Sequence, residues 1–417
     1  MDFACKFSFM EEWKAYKLGE ISDIQTGPFG SQLHQRDYVD VGTPCIMPTN
    51  IGAQLDIKPE GIAHVKEEDV MRLRKHCVNV GDIIYSRRGD IEKCAFVSQR
   101  EEGWLCGTGC LRIRINSQKA NPRFIAYLLS TNKSKKWIVG NAVGTTMLNL
   151  NTGILRELPL LLPDRKMQDS VVDILKSFDD KIELNKQIND NLEQQAQALF
   201  NSWFVGFEPF KGGEFVESEL GMIPKGWRVI KLGDVCKCVL GGTPSRSKEE
   251  YWNGDIAWIN SGEVNKFRIT TPSEYITEEG LKHSASKLLP RKTTVLAITG
   301  ATLGQVSLLE IDTCANQSVI GVLESNEYPY SFVYPLIKEK VRELMSHMTG
   351  GAQQHINKNN VEGLDIVIPP HDTMTSYRDI TFPIYEKIGY TCQESDRLVT
   401  LRDTLLPCLM SGEIKID

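Results

Sequence analysis

Two rhythms of apolar and polar positions run along this chain, and the whole succession occurs twice. GDIIYS from Gly81, CAFVSQ from Cys94 and LRIRIN from Leu111 alternate or cluster β-branched residues as strands do, and so do TTVLAIT, QVSLL and SVIGVL later in the chain. The segments NPRFIAYLLSTNKSKKWIV and YSFVYPLIKEKVRELMSHM have helical spacing instead. Two stretches then lead from glycine and small polar residues into an apolar run ending on proline. They are VGTTMLNLNTGILRELPLLLP, closing on Pro163, and GGAQQHINKNNVEGLDIVIPP, closing on Pro370. In them Asn149 or Asn151, and Asn357 or Asn360, can cap a short helix. The run to the proline predicts one more strand, closed by a residue that donates nothing to a ladder.

After each proline the period changes to that of a long helix. Val171, Leu175, Phe178, Ile182, Asn185, Asn189, Leu192, Ala196, Leu199 and Trp203 follow a four–three spacing, with two asparagines in mid-seam. Asparagine at a seam position costs stability and fixes register. Ile384, Ile388, Thr391, Ser395, Leu398, Leu405 and Leu409 keep a looser version of the rule, and Pro407 is expected to end that helix. One such helix after each repeat predicts that the two pair with each other as a coiled coil.

The repetition extends to residue identity. WKAYKLGEI from Trp13 recurs as WRVIKLGDV from Trp227, an offset of 227 − 13 = 214. TGPFGSQ answers GGTPSRS, VGTPCIMPTNI answers NGDIAWINSGE, and GDIIYSRRGDIEKCAFV from Gly81 answers KTTVLAITGATLGQVSL from Lys292. A period of roughly two hundred residues means tandem domains rather than a solenoid. The expected fold class is α+β: two similar mixed α/β domains, each followed by a long helix. The expected boundaries are 1–163, a helix over 164–207, a linker over 208–226, a second domain over 227–370, a second helix over 371–411 and a tail over 412–417.

Composition adds constraints. The net charge of −6 is unevenly spread. Residues 1–163 hold 21 basic and 18 acidic side chains (+3), 164–220 hold 6 and 12 (−6), 221–370 hold 16 of each, and 371–417 hold 5 and 8 (−3). The acidity sits on the helical segments, which leaves the domains compatible with nucleic acid. No apolar run is long enough for a membrane span, and MDFACKFSFMEEWK lacks a signal-peptide layout. Eleven cysteines without framework spacing read as reduced thiols, which places the chain in the cytoplasm.

Signatures of catalysis are missing. The sequence contains no phosphate loop, dinucleotide fingerprint, GxSxG or HExxH. Its seven histidines are scattered, and Cys236–Cys238 and Cys106–Cys110 lack the second pair that zinc requires. Pro369-Pro370 follows Ile368 and precedes His371, so no methyltransferase tetrapeptide is formed. No catalytic and no metal residues are expected. Reading DNA, by contrast, needs Arg, Lys, Asn and Gln at loop tips. The first repeat offers Gln25, Gln32, Asn50, Arg87, Arg88 and Thr108, with Lys133, Lys135 and Lys136 nearby. The second offers Arg246, Asn260, Thr299, Asn316, Gln317, Gln353, Gln354, His355 and Lys358. The Arg87-Arg88 pair, between a strand and Gly89, is the strongest of these. An enzyme with an unrecognised active site and a purely protein-binding scaffold remain the alternative classes.

The KLG openings, the stretch from Gly351 through Gln353, Gln354 and His355 to Asn357, the proline endings and the closing LRDTLLPCLMSGEI resemble one family. It is the specificity subunit of type I restriction-modification systems, and the likeness covers nearly the whole chain. The first copy, with Thr145-Thr146-Met147, lacks the glutamines. The resemblance implies two target-recognition domains, each reading half of a split site on double-stranded DNA. It implies an antiparallel coiled coil using Leu175, Phe178, Ile182, Asn185, Asn189, Leu192, Leu199, Ile388, Leu398 and Leu405. At about 1.5 Å per residue, 35–40 residues make a rod of about 50–60 Å, longer than one duplex turn. The implied partners are two methyltransferase subunits, carrying S-adenosylmethionine, and restriction subunits, carrying ATP. No cofactor is implied for this chain.

Overall fold

The period-2 pattern of GDIIYS is realised as a fully covered strand, Ile83–Ser86, in the middle of a sheet. The computed structural model describes residues 13–144, 148–346 and 355–414. It divides into two units, residues 1–180 with 399–417, and residues 181–398.

In the first unit an antiparallel sheet runs in the order Ser22–Thr26, Cys110–Ile115, Ile83–Ser86, Cys94–Phe96. Alternation sorts its side chains to two faces. Ile83, Tyr85, Cys94, Leu111 and Ile113 pack with Phe124, Ile125 and Leu129 of the helix Pro122–Ser130, while Ile84, Ala95 and Cys110 pack with Ile46 and Val78. A second sheet is ordered Tyr38–Val39, Ala63–Val65, Thr43–Ile46, Leu105–Cys106, the last pair parallel. Lys14–Lys17 pairs antiparallel with Pro159–Leu162, so the domain begins and ends on adjacent strands.

The second unit repeats this plan. Its four-stranded sheet runs Cys238–Leu240, Val319–Val322, Thr294–Ala297, Val306–Leu308, the same order in homologous strands. Glu274–Ile276, Trp252–Ile259 and Cys314–Ala315 form the second sheet, again with a parallel last pair. Arg228–Lys231 pairs with Asp365–Ile368 as the closing ladder. The two sequence repeats are thus two copies of one topology. The short helices capped by asparagine are present as Thr152–Arg156, capped by Asn151, and Lys358–Glu362, capped by Asn357 with Asn360 reciprocating. The expected linker is folded: Phe215–Ser218 pairs with Gly221–Pro224 as a hairpin.

Both long helices form, as Arg165–Phe200 and His371–Ser411. In the second unit Asn185 Nδ2 donates to Glu394 Oε2 at 2.8 Å and to Ser395 Oγ at 3.2 Å, and Asn189 Nδ2 to Cys392 Sγ at 3.3 Å. Thr391 Oγ1 donates to Asn189 Oδ1. Partner numbers fall as helix numbers rise, so the pair is antiparallel. Leu192, Ala196, Ile384, Tyr385 and Ile388 continue the seam as an apolar cluster. In the first unit Leu175 packs in the core with Leu405, Leu409 and Met410. Phe178, Ile182, Leu199 and Leu398 are half-buried. Trp203 falls past the α-helix, in a π turn over Asn201–Val205. Among the described residues no helix is long and apolar enough to cross a membrane.

Pro407 does not end the second helix, contrary to its expected role. The helix continues to Ser411 and stops where Gly412 adopts φ 71°. There Glu413 N–H donates to Cys408 O at 3.0 Å and Gly412 N–H to Leu409 O at 3.4 Å, a Schellman closure. The left-handed glycine terminates the helix, and the proline is accommodated inside it.

Buried acid–base clusters join sheet domain to helix within each unit. In the first, Asp179 accepts from Arg402 Nη1 at 2.8 Å, from Arg123 Nη2 at 3.2 Å and from the Tyr127 hydroxyl. In the second, Glu193 accepts from Arg268 at 2.7 Å, Lys338 at 2.8 Å and Tyr334 at 3.0 Å. Burial alone would raise the Glu193 carboxyl, but Arg268 and Lys338 outweigh it and hold it below the usual range. A third cluster has Lys292 between Glu310 and Glu386, both at 2.9 Å. Gly389 admits Glu310 to the helix surface, since a Cβ there would stand 2.6 Å from its carboxylate.

Two outcomes are expected. Gly389→Ala, which helix propensity alone would make stabilising by about 1 kcal/mol, should destabilise by about 1–3 kcal/mol through overpacking against Glu310, read from chemical denaturation. Glu193→Gln strands the buried Arg268 charge and should cost about 3–5 kcal/mol at neutral pH. Because the folded Glu193 carboxyl is depressed, its contribution is complete above the unfolded value of about 4.3 and is lost as pH falls through the folded value. The variant should therefore lose less stability than the parent over that acid range.

Candidate nucleic-acid interface

In the first unit Thr26 pairs with Leu111 and Ser86 with Cys110, so three loops leave the same edge of the four-stranded sheet. They are locked together by main-chain contacts. Gly27 N–H donates to Cys110 O at 2.9 Å, Arg87 N–H to Gly109 O at 2.8 Å, and the Thr108 hydroxyl to Pro28 O at 3.1 Å. A Cβ on Gly27 would stand 2.1 Å from Gly107 O, so only glycine permits this approach. Gly89, at φ 75°, turns the chain after the arginine pair. A fourth segment joins where Leu150 N–H donates to Arg87 O at 2.9 Å and Asn149 bridges Arg88.

The second unit builds the same frame. Gly241 N–H donates to Val319 O at 3.0 Å, and a Cβ on it would stand 2.1 Å from Asn316 O. Gly300, at φ 74°, occupies the place of Gly89, and Ile356 N–H donates to Ile298 O at 3.1 Å as Leu150 does to Arg87 O. Arg87, Arg88 and Asn149 therefore correspond to Ile298, Thr299 and His355. The frame is shared and the side chains on it differ.

Of the residues expected to contact DNA, Gln32, Arg87, Arg88 and Thr108 meet on this edge in the first unit. Arg88 is exposed. The Arg87 guanidinium lies 5.6 Å from the Phe29 ring centre, its pKa pushed down by burial and then by Arg88. Gln32 accepts from Phe29 N–H at 3.2 Å. Lys133 is exposed on the helix Asn132–Asn141. One expectation is corrected, and a second residue is already engaged. Asn50 is 2% exposed, accepting from Met47 N–H and donating to Lys58 O, so it builds a turn. Gln25 lies within a strand and accepts from the buried Arg112 at 2.8 Å.

In the second unit Thr299, Asn316, Gln317 and His355 sit on the shared frame. Thr243 donates to Gln317 Oε1, and Asn316 Oδ1 accepts from Ser318 N–H at 3.1 Å. Asn260 spends its Oδ1 capping a turn at Gly262, and Lys358 pairs with Glu362 at 3.1 Å. Gln353 and Gln354 lie outside the described residues. Arg246 is half-exposed, forked onto Glu274 at 2.9 and 2.6 Å and stacked 3.6 Å from the Trp252 ring centre. Their hydrogen bond raises the arginine and lowers the carboxylate. Residue type alone did not single out Phe29, which is 53% exposed, nor Trp252 or Glu274. An aromatic inside TGPFG was the one available signal.

Among the described residues no group of three or more side chains is placed to hold a metal ion. Ten cysteines there are free, and burial pushes the Cys236 and Cys238 thiols up to about 12, which suits packing rather than chemistry.

A family model described as the type I restriction modification DNA specificity domain matches residues 10–194 and again 224–388. The chain is 26% identical over 469 residues to the type I restriction enzyme HindI specificity subunit of Haemophilus influenzae, covering 97% of this chain and all of that one. It is 27% identical over 414 residues to the MjaIX specificity subunit of Methanocaldococcus jannaschii, covering 98% and 94%. The solved S subunit of a type I restriction-modification system from M. genitalium has a similar fold, with a TM-score of 0.60 at 16% identity over 95% and 96% of the two chains.

If the two frames are one device, Gly27→Ala and Gly241→Ala should behave alike. Each drives a Cβ into a main-chain carbonyl and should destabilise its own unit by about 1–3 kcal/mol in denaturant unfolding. Gly30→Ala, which meets nothing within 4 Å, should be neutral.

Proposed function

Because the chain belongs to the type I restriction-modification DNA specificity family, we propose that each unit's four-loop edge reads one half of a bipartite DNA target. The chain is the DNA-recognition subunit of its complex, and the chemistry belongs to other subunits. One observation carries the half-site reading: the same backbone frame recurs in both units with different side chains upon it. Arg87, Arg88, Gln32 and Thr108 stand on one, and Thr299, Asn316, Gln317 and His355 on the other, with Arg246 on the loop that leaves the second. Arginine forks suit guanine edges and phosphates, and amides suit adenine edges. Lys133 is placed on phosphate, where charge rather than geometry is needed.

The helix pair sets the unread spacing and offers its outer faces to two methyltransferase subunits, which would bring S-adenosylmethionine. Restriction subunits would bring ATP-driven cleavage. The segments 1–163 and 227–370 are the reading modules, and 164–207 and 371–411 the spacers.

Exchanging residues 1–163 for the corresponding domain of another family member should change one half of the modified sequence and leave the other intact. Inserting or deleting one or two helical turns between Val171 and Trp203 should change only the spacing. Methylome sequencing of cells expressing the complete system reads both outcomes. Both halves changing in the domain exchange would sink the modular assignment.

A further inference from the structure

Arg246 is held unlike the other surface cations of the second unit. Its guanidinium is forked onto both oxygens of Glu274 and lies 3.6 Å from the Trp252 ring centre, with Trp258 at 5.2 Å. The two indoles meet edge to face at 5.3 Å. Each indole N–H is tied to the same loop, Trp252 to Ser245 O at 3.2 Å and Trp258 to Gly242 O at 3.1 Å. That loop starts at Gly241, on the frame edge, and Thr243 joins it to Gln317. The arginine is therefore oriented and close to the reading edge before DNA arrives.

A carboxylate presents two acceptors side by side, as the O6/N7 edge of guanine does. Building on the half-site reading, we infer that Arg246 reads a guanine in the second half-site and that Glu274 is its positioning residue. Glu274 holds the fork in orientation and is replaced by the guanine edge on binding. Glu274 neutralises the charge that would otherwise draw phosphate, whereas the neutral guanine edge is sought for its two acceptors. The carboxylate thus suppresses sequence-independent binding while preserving the guanine contact.

The test uses the complex reconstituted with its methyltransferase subunits, on duplexes carrying the target found by methylome sequencing. Replacing each guanine of the second half in turn with 7-deazaguanine removes one acceptor. At one position this should weaken binding by roughly tenfold in the parent and by nothing further in Arg246→Ala. Glu274→Gln should raise affinity for unrelated duplex by a few-fold and lower the specific-to-unrelated ratio, whereas mere loop damage would lower both affinities. Discrimination in the first half should be unchanged in all variants. A second half without guanine, or a 7-deazaguanine cost that persists in Arg246→Ala, overturns the inference. So does a uniform affinity loss in Arg246→Ala with a salt slope reduced by about one, the mark of a phosphate contact. A parent complex with no sequence preference at all would instead overturn the half-site reading on which this rests.

Discussion

Everything in the architecture depends on one backbone ladder made twice. Lys14–Lys17 pairs with Pro159–Leu162, and Arg228–Lys231 with Asp365–Ile368. Pairing first strand with last brings a domain's entry and exit together whatever lies between. Loop lengths inside the domain can then drift without moving the helix that follows, and proline at 163 or 369 ends the strand at that handover. The offset between the repeats falls from 228 − 14 = 214 at the first strand to 368 − 162 = 206 at the last, a drift such a ladder tolerates.

Reading DNA from loops requires loops that do not sag. Here the stiffness comes from main-chain hydrogen bonds among neighbouring turns and from glycines where no other residue fits, at Gly27 and Gly241 by close approach and at Gly89 and Gly300 by left-handed φ. Side chains on this frame are left free to vary. Arg88 and Thr299 stand at the same backbone position with different hydrogen-bonding capacity, as the proposed half-site reading requires.

The repeat, the strands and the helix seam were legible because each is periodic or local. Asn185 and Asn189 stand where the heptad spacing put them, facing Thr391, Glu394 and Ser395. What escaped is tertiary. Arg402 occupies a seam place that reads as a break between Leu398 and Leu405, and its partner Asp179 is 223 residues distant. The same holds for Glu193 with Arg268. Asn50 carried the right chemistry for DNA but is consumed by its own turn, and residue type cannot tell a capping amide from a reading one. Pro407 misled because an isolated proline is only a statistical stop, while Gly412 supplies a bonded one.

At the turn where the first domain has Gly81, φ 89°, the second has Lys292, also left-handed at φ 68°. The lysine bears a strained backbone that a glycine would relieve, and its ammonium, with the Arg291 guanidinium, pairs with Glu310 and Glu386. The first domain is fastened differently, through Arg123 and Tyr127 onto Asp179. Duplicate domains have thus become keyed parts. A copy of the first domain set in the second position would bring a glycine where Glu386 of the helix now meets Lys292, and that carboxylate would lose its nearest cation. The ancestral symmetry survives in the fold but has been spent in the joints, and each domain now recognises its own seat on the helices.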